Sequence, residues 1–194
     1  MYELKERIRP LMSEYRYNHT LSVAEECKTL AEIFGIDGKN LIISGYLHDI
    51  TKELPTKDQI ELCEKMGERL EGYELLSEKT LHSYSAPALI KRDFPEYATD
   101  EILSAVRYHT TGRENMTLTE KLLYLADYIE KTRKFDECKR LRRFFYADLS
   151  DPVKRLDETV LLSLKYTLNE LLSKDGFIHP QTLNAYNSLL INQK

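Results

Sequence analysis

Apolar side chains recur three and four residues apart along nearly the whole chain, and a backbone with 3.6 residues per turn is what that period fits. Val23, Ala24, Cys27, Leu30, Ala31 and Phe34 form one such stripe, and Gly35 stands where it stops. Asn40 to Ile50 is apolar on most sides, as a central helix would be. Thr56 to Met66 follows Pro55 and closes at Gly67, and a further helix is predicted from about Ser83 to Phe94, stopped by Pro95. Thr99-Asp-Glu opens another, with Ile102, Ala105 and Val106 on its inner face and Gly112 ending it. Thr117 has Glu120 three residues on, the spelling of a capping box, before a helix through Ile129. Helices are predicted again over about 136–146, 152–173 and 180–191. Seven Gly and six Pro in 194 residues are too few for the tight turns of an all-β fold. No strand-like alternation, repeat or low-complexity linker interrupts the pattern. The prediction is one all-α domain over residues 1–194: a central bundle with the last two helices packed around it.

Charge narrows the function. Lys plus Arg (28) nearly balances Asp plus Glu (32), for a formal charge of −4. A general nucleic-acid binder carries a positive excess, so that class is disfavoured. Runs such as Leu122 to Ala126 are core-sized, well short of a membrane span. The N-terminal residues lack the apolar segment of a secretory signal. Cys27, Cys63 and Cys138 fit neither a disulfide framework nor a metal knuckle. These features predict a cytoplasmic protein with no membrane partner. The stretch Lys131 to Arg143 holds seven Lys/Arg against Asp136 and Glu137, and reads either as a solvated helix face or as a rim that attracts a polyanion.

Three segments place ionisable groups where their neighbours are apolar. His48-Asp49 follows an uncharged run, Leu41 to Leu47. His109 continues the stripe of Ile102, Ala105 and Val106. Asp127 is the one charged residue in Leu122 to Ile129. A lone carboxylate buried this way is costly unless a cation or strong donors compensate it. Any one of these groups alone fits a hydrogen-bonded core residue. Together His19, His48, Asp49, His82, His109 and Asp127 supply four imidazoles and two carboxylates. That set suits Fe, Mn, Co, Ni or Zn rather than Ca, and is large enough for two ions. A His-Asp doublet on a helix would send its side chains about 100° apart, so that Asp49 could bridge.

His19, the doublet within His48-Asp-Ile-Thr-Lys52, and Asp127 resemble the HD-domain metal-dependent phosphohydrolases. Arg107-Tyr-His-Thr-Thr-Gly-Arg113 and Tyr124-Leu-Ala-Asp-Tyr-Ile-Glu130 are similar to a narrower branch, the YqeK-type symmetrical bis(5′-nucleosyl)-tetraphosphatases of bacteria. The resemblance runs from about Tyr15 to Arg133, and the helices of about 134–194 carry no motif that transfers. Two departures stand out: Ser83-Tyr84 replaces a usual Gly-Pro after His82, and Lys131 replaces a usual Pro after Glu130.

The resemblance implies an HD-domain fold and cleavage of diadenosine tetraphosphate to two ADP, a metal-activated hydroxide attacking an inner phosphorus. It implies one ion on His19, His48, Asp49 and Asp127, with Asp49 shared, and a second completed by His82 and His109. Iron is the metal it suggests. Lys52 would offset charge at the attacked phosphorus, and Arg113 would be a phosphate clamp. Thr110, Thr111 and the Gly112 amide would add donors, with Arg133 as a further candidate. Bland readings stand beside these: Lys52 pairing with Glu53 or Asp49, and Arg113 as a surface cation near a helix end. Tyr84, Tyr108 and Tyr128 are available to stack on a base, and none is singled out. His179, in a loop-like stretch, is left outside the site. Other nucleotide phosphohydrolases of the same superfamily, or a nucleotide-binding regulator with a structural metal, are the competing functions. A homodimer stays an open option.

Overall fold

In a computed structural model, the protein is described over residues 2–70 and 72–192. Among these residues the regular structure is helical throughout: α1 (Tyr2–Ile8), α2 (Glu14–Phe34), α3 (Lys39–Leu47), α4 (Thr56–Lys65), α5 (Tyr73–Leu76), α6 (Glu78–Asp93), α7 (Asp100–Tyr108), α8 (Leu118–Ile129), α9 (Asp136–Ala147), α10 (Pro152–Ser173) and α11 (Pro180–Asn192).

The helix ends follow local chemistry. Ser13 caps α2 by accepting from the Arg16 amide, and Gly35 ends it in the left-handed region at φ 61°. Thr117 and Glu120 form the anticipated capping box, each side chain satisfying the other's backbone amide. Asp151 caps α10, with Pro152 in its first turn.

α8 is the axis of the bundle. Leu122, Leu123, Tyr124, Leu125 and Ala126 are all fully buried, because α2, α3, α7, α9 and α10 surround it. A helix apolar on every side can only be stable at the centre. α2 and α3 pack so closely that a Cβ on Gly45 would stand 3.0 Å from Ala24 Cα. α6 lies between α4 and α7, and α11 packs on α10. No helix among the described residues is long and apolar enough to cross a membrane.

Three helix boundaries position the site residues. α2 begins at Glu14, so it carries His19 within the helix. The predicted helix over Asn40–Ile50 ends at Leu47, and the His48-Asp49 doublet lies in the turn that follows. The apolar run continues past the helix end because the turn itself is buried: Ile50 and Thr51 are as inaccessible as Leu47. The same happens to α7, which stops at Tyr108 with His109 as its C-cap.

Candidate metal centre and active site

Two histidines are aimed by one device used twice. His48 Nδ1 donates to the Gly45 carbonyl at 2.8 Å, and His109 Nδ1 donates to the Val106 carbonyl at 2.6 Å. Each ring thereby satisfies a carbonyl in the last turn of its own helix and turns Nε2 inward. His19 is fixed differently. Its Nδ1 donates to Glu130 Oε1 at 3.1 Å, across 111 residues of sequence. Glu130 is itself buried and held by the Thr132 amide and hydroxyl, both at 2.6 Å. A carboxylate behind a ligand histidine sets its tautomer and raises its basicity. Glu130→Gln is therefore expected to weaken metal binding about 10- to 100-fold with little change in fold. Competition with a colorimetric chelator would measure it.

Asp49 stands between two pairs of imidazoles. Its Oδ2 lies 3.7 Å from His19 Nε2 and 3.4 Å from His48 Nε2. Its Oδ1 lies 3.2 Å from His82 Nε2 and 3.6 Å from His109 Nε2. Asp127 Oδ1 faces the first pair, 3.0 Å from His19 Nε2 and 3.9 Å from His48 Nε2. The sets His19, His48, Asp127 and His48, Asp49, His109 each bring three ligand atoms within 4.8 Å of one another. All six side chains are buried. His19 Nε2 and His48 Nε2 are buried without an aligned hydrogen bond. Buried polar atoms are rarely left that way without a function. Two unpartnered imidazole nitrogens beside two carboxylates, with His82 Nε2 and His109 Nε2 3.1 Å apart next to them, fit a first-row cation.

Three cations surround the cluster. Arg16 Nη1 donates to Asp49 Oδ2 at 2.5 Å, and Arg133 Nη2 donates to Asp127 Oδ1 at 2.5 Å. Lys52 Nζ sits 3.0 Å from His82 Nε2. Arg16 is absent from the sequence-based candidates, although it lies one helical turn before His19 and so shares its face of α2. Glu130 is absent too; its signal was a carboxylate ending the apolar run of α8.

The electrostatics follow from burial and these partners. Burial pushes the Asp49 carboxyl up, but His48, His109 and His82 outweigh it and hold it well below the usual range. Asp127 is depressed likewise, chiefly by Arg133 and then His19, against its burial. Burial works against charge on His19, yet Asp127 and Glu130 raise it to about 9. An incoming cation must therefore displace a proton there. His82 is lowered to about 3 by burial and the adjacent Lys52, which keeps it a neutral ligand.

The turn after α7 divides the residues expected to bind phosphate. Thr110 lines the cavity beside the cluster, and its hydroxyl is buried without a partner. Thr111 is buried with its hydroxyl donating to the Gly112 carbonyl. Gly112 adopts φ 64°, and a Cβ there would stand 2.9 Å from Ala185 Cβ in α11. Arg113 Nε donates to the buried carboxylate of Glu120 at 3.0 Å, and its guanidinium lies over Tyr108. In the structure Thr111, Gly112 and Arg113 pack toward α8 and α11, whereas Thr110 lines the cavity. Tyr84 is turned away also, its hydroxyl 3.0 Å from His179 Nε2 and its ring under Arg107.

The HD domain family model matches residues 16–132, a span that includes every member of the cluster. The chain belongs to the HD-domain family. Among its HD-domain relatives, a protein of Halalkalibacterium halodurans named symmetrical bis(5′-nucleosyl)-tetraphosphatase is 34% identical over 96% of this chain and 95% of its own length. A Bacillus subtilis protein of the same name is 34% identical over 94% of both chains. A crystal structure from Clostridium acetobutylicum, described as a predicted HD superfamily hydrolase involved in NAD metabolism, superposes with a TM-score of 0.87. It is 33% identical and the match covers 99% of this chain and 97% of that one.

Proposed function

We propose that this HD-domain protein hydrolyses diadenosine tetraphosphate symmetrically, with two first-row metal ions, iron foremost, on His19, His48, Asp49, His82, His109 and Asp127. The observation that carries this reading is Asp49, with one oxygen turned to each pair of histidines. Ions held there supply an activated water nucleophile and neutralise charge on the phosphoryl oxygens.

The chain's own residues do the rest. Asp49 and Asp127, committed to cations, release Arg16 and Arg133 to pair with phosphate oxygens, the guanidinium being suited to forked contacts. Lys52, between His82 and the carboxylates, offsets charge at the attacked phosphorus. Thr110 offers its unpartnered hydroxyl to the polyphosphate. Water adds to one inner phosphorus, the bridging bond between the two inner phosphates breaks, and the departing oxygen leaves as part of the second ADP. In this reading Arg113 and Glu120 brace the turn, and the enzyme works on a free nucleotide in the cytoplasm.

The test is the product. Purified protein loaded with Fe or Mn is expected to convert the dinucleotide to ADP alone, resolved by ion-exchange chromatography. AMP with ATP in equal amounts, or no turnover by a metal-loaded sample, would overturn the reading.

A further inference from the structure

A cavity of about 890 Å³ runs from the cluster to the second half of α10. Its inner end is formed by His109, Thr110, Asp127 and Arg133, and its outer end by Phe135, Tyr166 and Asn169 among others. The volume lies in the range of small-molecule sites, roughly 300–1,000 Å³. Tyr128 joins the two ends, its hydroxyl 2.8 Å from Thr167 on α10.

Chemistry changes along this cavity. Near the cluster it offers the guanidinium of Arg133 and the hydroxyl of Thr110 beside Asp127. The rest of the lining combines the rings of Phe135 and Tyr166 with the charged side chains of Glu137, Glu170 and Lys174. Phe135 is 65% exposed although it adjoins this opening. A phenylalanine left in water beside a cavity gains most from a flat apolar ligand laid against it. Tyr166 comes from α10, a different element. Asn169 stands about one turn beyond Tyr166 and carries a donor and an acceptor side by side. That arrangement matches the amino group and ring nitrogen of adenine, whereas guanine presents two acceptors on the corresponding edge.

We propose that this cavity is the nucleoside subsite. One adenine stacks on Phe135 and Tyr166, Asn169 reads its edge, and the attached diphosphate reaches back past Arg133 to the cluster. The subsite rests on the dinucleotide reading above, and it assigns base recognition to the helices outside the family-matched segment.

The chain contains no tryptophan, so Phe135→Trp places a single tryptophan, excitable apart from the thirteen tyrosines, at the proposed stacking position. ADP is expected to quench it saturably, and pyrophosphate at the same concentration is not. Phe135 and Asn169 are both exposed, so their replacement leaves the core intact. Phe135→Ala is expected to raise KM for diadenosine tetraphosphate about tenfold with kcat held, as loss of one stacked base predicts. Asn169→Ala is expected to raise KM less and to narrow the preference for the adenine over the guanine dinucleotide. Quenching by pyrophosphate equal to that by ADP, or no quenching by either, overturns the subsite. So does an active protein whose KM moves less than about twofold in both variants. Were the native chain inactive on the dinucleotide, the hydrolysis reading would fail while the fluorescence titration still decided the subsite.

Discussion

Replacing Asp49 with Ala is expected to abolish activity and metal loading together. Among the described residues the carboxylate is the one group that faces both imidazole pairs, so its loss divides the ligand set in two. Metal assistance is worth several kcal/mol of transition-state stabilisation. At about 1.36 kcal/mol per decade, the rate should fall by at least ~10³-fold. Asp49→Asn separates charge from shape, because it keeps the volume and removes the anion. Both variants should bind substoichiometric metal by elemental analysis and melt cooperatively by circular dichroism. Full metal occupancy in the alanine variant, or native-like turnover in the asparagine variant, would show that Asp49 is not the bridge.

The second large effect lies one turn before the doublet. Gly45 has no room for a side chain: a Cβ would meet Ala24 Cα at 3.0 Å and Cys27 Sγ at 3.1 Å. The first obstacle is backbone, which does not yield as the end of a flexible side chain would. Gly45→Val therefore forces α2 and α3 apart, at about 3 kcal/mol, the upper part of the overpacking range. For a domain of this size that lowers Tm by roughly 6–12 °C. The same displacement moves the carbonyl on which His48 hangs and shifts His19 on the opposing helix. Metal affinity should fall with stability, measured by thermal melts with and without added Mn. A variant with native Tm would mean that the helices have slack the structure does not show.

The fold was legible where side chains report locally. The stripes of α2 and α10 and the capping box of α8 are properties of adjacent residues, and propensity, period and cap agree there. The end of α3 was not legible, because burial of the following turn extends the apolar run beyond the helix. α6 was predicted to start at Ser83 rather than Glu78, since its first turn, Glu78-Lys79-Thr80, is polar and shows no period. At the site, His48, Asp49, His109 and Asp127 are conspicuous as polar groups in apolar surroundings. Arg16 and Glu130 are not, since their partners lie 33 and 111 residues away. Arg113 shows the opposite difficulty. Glu120 is fully accounted for by its capping box in sequence, yet the folded chain gives the same carboxylate two further partners, Ser104 and Arg113.

The turns that hold His48 and His109 also fix an electric field. α3 and α7 both end at the cluster, and α8 brings Asp127 in its last turn. The C-terminal end of a helix carries the equivalent of about half a negative charge. Three such ends converge on a cavity whose titrating ligands carry only the two carboxylates of Asp49 and Asp127. The backbone thus contributes negative potential to the seat of the cations without adding an ionised side chain that would repel a polyphosphate. With the proposed ions bound, two carboxylates would offset only part of their charge, and the centre would face the opening with a net positive charge. A chain that is acidic overall can in this way present a positive point to an anionic substrate.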